Sequence, residues 1–268
     1  PKADPVEEVM QRIPEGFPIM NIPTDNQLTK ARIDLGSNLF FDPIMSVDKS
    51  ISCASCHRPE HAFADTLAVN IGAEGKLGTR NAPSLINVGY LPYFTRDGGV
   101  PTLEMQVFVP VDQHNEFNFS MGQIVERLKT YPMYVDMCNA AYNREPDAFC
   151  VTRSLAAFQR TMVGGKSAYD LFIAGDPDAL SPSAQRGMEM FFSKEVGCTN
   201  CHGGFLFTDH TFQNNGLYER YVDSGRFRVT LVEFDRSKFK VPSLRNVAAT
   251  PPYMHDGSIK TLQDVVGH

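Results

Sequence analysis

Two five-residue segments constrain this chain more than any other feature: Cys53-Ala54-Ser55-Cys56-His57 and Cys198-Thr199-Asn200-Cys201-His202. Two thiols separated by two residues and followed at once by an imidazole form the attachment pattern of a c-type haem. The spacing matches the two porphyrin vinyl groups, across which the thiols add, and the tether delivers the adjacent histidine to the iron. Paired C-x-x-C is also zinc-site spacing. Against zinc, the two pairs lie far apart in the chain, and each carries a histidine that a four-thiolate site does not require. A redox C-x-x-C would need a strand–helix context that precedes neither pair. The expected cofactors are therefore two covalently bound c-type haems, held by Cys53, Cys56 and His57 and by Cys198, Cys201 and His202. Covalent haem attachment takes place outside the bacterial cytoplasm, so a periplasmic location is expected. The start, Pro1 to Pro5, lacks a charged n-region and an apolar h-region, so any export signal has been removed or was never there.

Residues 138 and 150 are the remaining cysteines, flanking a polar stretch, Asn139 to Asp147, that reads as a loop. An oxidising compartment would let them close it with a disulfide, and two separate buried thiols are the alternative. With 268 residues, 42% of them hydrophobic, the chain has material for one large domain or two of ordinary size. Its 25 basic and 31 acidic residues offer no polycationic surface, which excludes nucleic acid as a partner. No apolar run reaches the roughly 18 to 20 residues that cross a bilayer, so a soluble chain with no membrane span is expected.

Apolar residues at helical spacing recur at Leu28, Leu35 and Leu39, at Ile124, Val125 and Leu128, and at Val151, Leu155, Phe158 and Met162. Ser120 with Gln123 has the capping-box relation, and Ser181-Pro182 sets a cap before a first-turn proline. The expected fold class is mainly α, with long ordered loops of the kind that wrap a ligand. A weak internal echo places Phe40-Phe41 and Phe191-Phe192 each shortly before a C-x-x-C-H. Gly164-Gly165-Lys166-Ser167 reads as the junction, giving domains 1–163 and 164–268. Its G-K-S is no phosphate loop, because the required upstream glycine is missing and a helix, not a strand, precedes it.

Four longer segments then become informative: LGSNLFFDPIMS before the first motif, RNAPSLIN after it, LAAFQRTMV before the junction, and FKVPSLRNVAATPPYMHDGSIKTL near the end. Through these the chain resembles, over nearly all its length, the bacterial di-haem cytochrome c peroxidases and their MauG-like relatives. The resemblance implies two cytochrome c-like helical domains, the N-terminal haem reacting with hydrogen peroxide and the C-terminal haem relaying electrons. His57 and His202 become the proximal iron ligands. Glu116, in Pro110-Val111-Asp112-Gln113-His114-Asn115-Glu116, matches the family's catalytic glutamate, and Gln106 matches its glutamine partner. Asn81, Thr250 and Pro252 occupy the positions of a calcium site between the haems, made of one side-chain oxygen and backbone carbonyls. Implied partners are a small electron donor, a c-type cytochrome or cupredoxin, or else a protein substrate, and a homodimer.

Three departures qualify the resemblance. The distal histidine of many relatives falls at Ala73, which cannot ligate iron, so the first haem is expected to be open unless His61 or His114 caps it. The chain has no tryptophan, and the residue aligned with the inter-haem tryptophan is Arg96. The electron-transfer haem's distal ligand belongs one residue past His268, so the C-terminal domain looks truncated relative to the family, with Met254 and His268 as substitutes. Three functions fit: peroxide reduction, MauG-like oxidation of a partner protein's side chains through a high-valent haem, or electron transfer without catalysis.

Overall fold

The computed structural model describes residue 7 and residues 13–268. Its described helices are α1 (Lys30–Phe41), α2 (Cys53–Cys56), α3 (Leu103–Gln106), α4 (Phe108–Asp112), α5 (Met121–Lys129), α6 (Pro132–Tyr142), α7 (Ala148–Arg160), α8 (Ala168–Ile173), α9 (Pro182–Phe192), α10 (Phe227–Thr230) and α11 (Leu262–Gly267). Two short strands, β1 (Phe212–Gln213) and β2 (Phe239–Lys240), pair antiparallel with Phe212 opposite Lys240. The mainly helical class is as expected.

Leu35, Leu39 and Phe40 line one face of α1 and are buried, as helical spacing of apolar residues requires. That face packs on α7, whose Val151, Leu155 and Ala156 are equally buried. A side chain at Gly36 would collide with the Ser154 carbonyl, so the helices cross at a point only glycine permits. Phe40 continues the contact, its ring 5.2 Å from Phe158 and 6.1 Å from Phe63. Ser120 and Gln123 cap α5 reciprocally, and Ser181 caps α9. Ser167 caps α8 in the same way, so the G-K-S triplet starts a helix.

Two expectations change here. The helix α6 runs on to Tyr142 and stops where Asn143 turns left-handed, so the loop before α7 comprises only residues 143–147. Cys138 and Cys150 are free thiols, both fully buried, and the Cys150 thiol donates to the Glu145 carbonyl (3.8 Å). The expected disulfide is therefore replaced by a buried thiol pair.

Apolar burial is uneven along the chain. Among the described residues, Leu206 and Val241 are the only buried apolar side chains beyond Gly165. Helix α9 is amphipathic yet buries none of its residues.

The geometry also exposes a repeat stronger than the phenylalanine echo. Residues 81–103, NAPSLINVGYLPYFTRDGGVPTL, recur in register as residues 240–262, KVPSLRNVAATPPYMHDGSIKTL. Asn87 and Asn246 both turn left-handed, and matching antiparallel bridges, Phe94 to Val100 and Tyr253 to Ile259, close equivalent loops. The copies meet reciprocally: the Asn81 N–H donates to the His255 carbonyl (2.8 Å), and the Lys240 N–H to the Arg96 carbonyl (2.7 Å). A side chain at Gly98 would strike Phe212, and one at Gly257 would strike Ala68.

Candidate haem sites and the pocket beside them

The first motif forms α2, with Ser52 and Ser55 capping it and the His57 N–H bonded to the Cys53 carbonyl (2.9 Å). His57 Nδ1 lies 3.0 Å from the Phe63 carbonyl oxygen. A carbonyl only accepts, so Nδ1 carries the proton and Nε2 keeps its lone pair. Burial lowers the His57 pKa, which favours the neutral, ligating imidazole. Burial also pushes the Cys53 and Cys56 thiols up to about 12. Neutral thiols suit addition to vinyl groups and make a poor thiolate cage for a soft metal.

The second motif repeats this geometry. His202 Nδ1 lies 2.9 Å from the Phe207 carbonyl, and the His202 N–H bonds the Cys198 carbonyl at 2.9 Å. Arg245 positions Phe207: its guanidinium lies over that ring, bonds both oxygens of Asp170, and donates to the Phe205 carbonyl. Phe207, whose carbonyl meets His202, also walls an apolar crevice of 310 Å³ together with the rings of Tyr169, Phe191 and Phe192 and with Met188 and Leu244. Fixed imidazole tautomers at both motifs, the neutral thiols of the first and the apolar crevice walled by Phe207 near the second suit a haem at each. Such a group would be held by Cys53, Cys56 and His57 and by Cys198, Cys201 and His202, where it would supply redox chemistry. A larger cavity of 410 Å³ lies between Pro18–Pro23 and α3, and neither motif lines it.

Ala73, fully buried, sits under the loop that carries Glu116, its N–H donating to the Glu116 carbonyl (2.8 Å). Gly72 makes this possible, since a side chain there would collide with the Asn115 carbonyl. Burial raises the pKa of the Glu116 carboxyl above its ordinary range, and its charge is felt by both Cys53 and Cys56, which places it beside the first motif. The loop returns onto α4 through Phe117 to Pro110 and Phe119 to Val111. Gln106, ending α3 just before α4, has a buried Oε1 without a partner, an acceptor free for a ligand's proton. A buried Arg160–Glu104 pair (2.7 Å) anchors α3 to α7, and Asn26 Nδ2 bonds the same carboxylate. His114 is exposed and bonded to Asn118 (3.1 Å), and His61 ends a short 3-10 turn at Pro59–His61.

Of the expected calcium residues, Asn81 has its oxygens engaged by Arg96, while Thr250 and Pro252 would lend only backbone carbonyls. Both oxygens of Asn81 are taken by Arg96, whose Nε donates to the carbonyl (2.9 Å) and Nη2 to Oδ1 (2.7 Å). The Asn81 amide group donates to the Leu67 carbonyl (3.1 Å). Thr250 turns its hydroxyl to the Val247 carbonyl, and Pro252 follows Pro251 through a cis bond. Sequence reasoning placed Arg96 opposite a tryptophan and missed this contact. The motif echo between Arg96-Asp97-Gly98 and His255-Asp256-Gly257 was the signal that could have put both at one junction.

A mainly helical chain with two equivalent C-x-x-C-H units and a protonatable carboxyl beside one of them defines a di-haem oxidoreductase of the cytochrome c type. Comparison with known proteins agrees. Residues 30–178 match the family described as "Di-haem cytochrome c peroxidase", and the chain belongs to that family. It is 38% identical to the methylamine utilization protein MauG of Methylorubrum extorquens, over 96% of this chain and 72% of that protein. Against cytochrome c peroxidase Ccp of Escherichia coli it is 32% identical over 97% of this chain, which spans about half (55%) of that longer protein. Among solved structures, a MauG-like protein associated with microbial copper homeostasis superposes with a TM-score of 0.89 at 32% identity, covering 95% of this chain and 80% of that one. The di-haem peroxidase BthA of Burkholderia thailandensis gives 0.78 at 26% identity, over 90% and 72%. The chain is thus a di-haem peroxidase-like oxidoreductase, and no described helix is long and apolar enough to cross a membrane.

Proposed function

We propose that this protein reacts with hydrogen peroxide beside His57 and receives electrons through the group held at His202, with one haem in each of the regions 1–163 and 164–268. The carrying observation is the Glu116 carboxyl, raised by burial, beside Cys53 and Cys56. Cleaving the oxygen–oxygen bond requires a base that removes the proton from one peroxide oxygen and returns it to the departing one. Glu116 has the affinity for that exchange, and the free Oε1 of Gln106 can accept a hydrogen bond from the peroxide and hold its orientation. Ala73, closed under the Glu116 loop, offers no sixth ligand, which supports an open first site. The fitting electron donor is a small c-type cytochrome or cupredoxin in the periplasm. The likeness to MauG at 38% identity favours a second reading, oxidation of a partner protein's side chains at the same site.

Stopped-flow mixing of the two-haem protein with stoichiometric peroxide tests the proposal. Glu116 must be ionised to act as base, so the rate should rise with pH through a midpoint above the ordinary carboxylate value. In Glu116→Gln the rate should drop by about 100-fold or more and the pH dependence should vanish. An unchanged rate removes Glu116 from the chemistry. Purely low-spin spectra with no peroxide reaction in the parent protein would instead indicate a carrier of electrons without catalysis.

A further inference from the structure

We propose that Arg96 is the resident cation of the junction between the two repeats, standing where the resemblance implied calcium, and that the loaded protein is calcium-independent. The argument is one of oxygens and charges. A calcium ion would bind Asn81 through its side-chain oxygen, Oδ1, which accepts a hydrogen bond from Nη2 of Arg96 while the adjoining carbonyl accepts from Nε. A divalent ion and a guanidinium on that one oxygen would lie within a few ångströms of each other, in a partly buried place where like charges are weakly screened.

Asp256 and Asp97 act on Arg96 and Lys240 only from a distance. Neither Arg96 nor Lys240 forms an ion pair among the described residues. Lys240 spends its ammonium on the Tyr93 carbonyl (2.9 Å), and Arg96 lowers its pKa further, after burial, to about 8. Around them, Arg80 uses Asp97 and Asp223, Asp256 accepts from the Tyr218 hydroxyl (2.6 Å), and His255 stacks on Phe239 with centroids 4.1 Å apart. Asp97 and Asp223 are thus committed to Arg80, and none of these carboxylates bonds Asn81, Thr250 or Pro252 among the described residues.

The guanidinium also sits where a bridging ion would be useful. Arg96 accepts the Lys240 N–H through its carbonyl while its side chain holds Asn81, whose own N–H bonds His255. One residue therefore ties together both reciprocal hydrogen bonds between the repeats, and a planar donor fork suits two oxygens of one asparagine.

Metal analysis of the two-haem protein, purified with calcium present and then dialysed without it, provides the test, together with thermal unfolding in EGTA and in millimolar calcium chloride. The expected results are a calcium content far below one per chain and the same Tm in both solutions. One retained calcium per chain, or a Tm that falls in EGTA, overturns the proposal. In Arg96→Gln the Tm measured in EGTA should drop by about 5 °C. A Tm equal to that of the parent denies the arginine its bridging role. Should the variant fail to accumulate, the parent's calcium content and EGTA response decide alone. Peroxide reactivity is read separately, so failure here leaves the Glu116 proposal standing.

Discussion

Gly72 and Ala73 show how two small residues shape a reactive pocket. Their lack of bulk lets the loop of Asn115 and Glu116 settle onto the chain and receive the Ala73 amide. Gly72→Ala should force that loop outward, since its new methyl meets backbone, which cannot rotate away. The expected cost is about 1–3 kcal/mol in unfolding free energy, measured by denaturant titration, with a slower peroxide reaction because Glu116 moves with the loop. An alanine variant of parental stability and rate would show that the close approach is unimportant. At this scale the sequence was informative about identity and weak on contacts. The cysteines and histidines of both motifs were legible from spacing alone. Glu116 and Gln106 were visible only through resemblance, because a loop acid and a helix-end glutamine carry no signature of their own. The hold of Arg96 on Asn81 was not legible, because a long flexible side chain has no preferred direction until its surroundings are folded.

Helix boundaries were readable where a side chain fixes them. Asp147 accepts the Cys150 N–H (2.8 Å) and starts α7. Asp147→Ala should lower stability by about 1 kcal/mol without altering haem spectra, and Asp147→Asn should restore most of the loss. Equal stability of the alanine and parent proteins would refute the cap. Where apolar periodicity fades, reading failed: the polar run from Asn139 hid the last turn of α6, which closes by the left-handed Asn143 rather than by composition. The repeat of residues 81–103 at 240–262 also went unread. It lies in turns and 3-10 segments, which have no helical or strand period to attract attention, yet its copies share bridges, left-handed asparagines and glycine contacts.

Across the molecule, the region before Gly164 has its own apolar interior, whereas the remainder has almost none. Burial of apolar surface is the main force that opposes chain entropy, so the second region should depend on a group tethered at Cys198 and Cys201. With Cys198→Ser and Cys201→Ser together, limited proteolysis should cut rapidly beyond Gly164 and leave a resistant fragment from the first region. Equal resistance throughout would mean the second region stands unaided.

The mutual hydrogen bonds between the repeats make the junction a hinge pin shared by two leaves. Asn81 lies four residues from Leu85, whose N–H bonds the Phe63 carbonyl that His57 also meets, and Lys240 adjoins Val241, whose carbonyl receives the Thr208 hydroxyl just past Phe207. The route from one imidazole to the other thus runs through the backbone of the junction, so whatever stiffens the two reciprocal bonds holds both histidines to one frame.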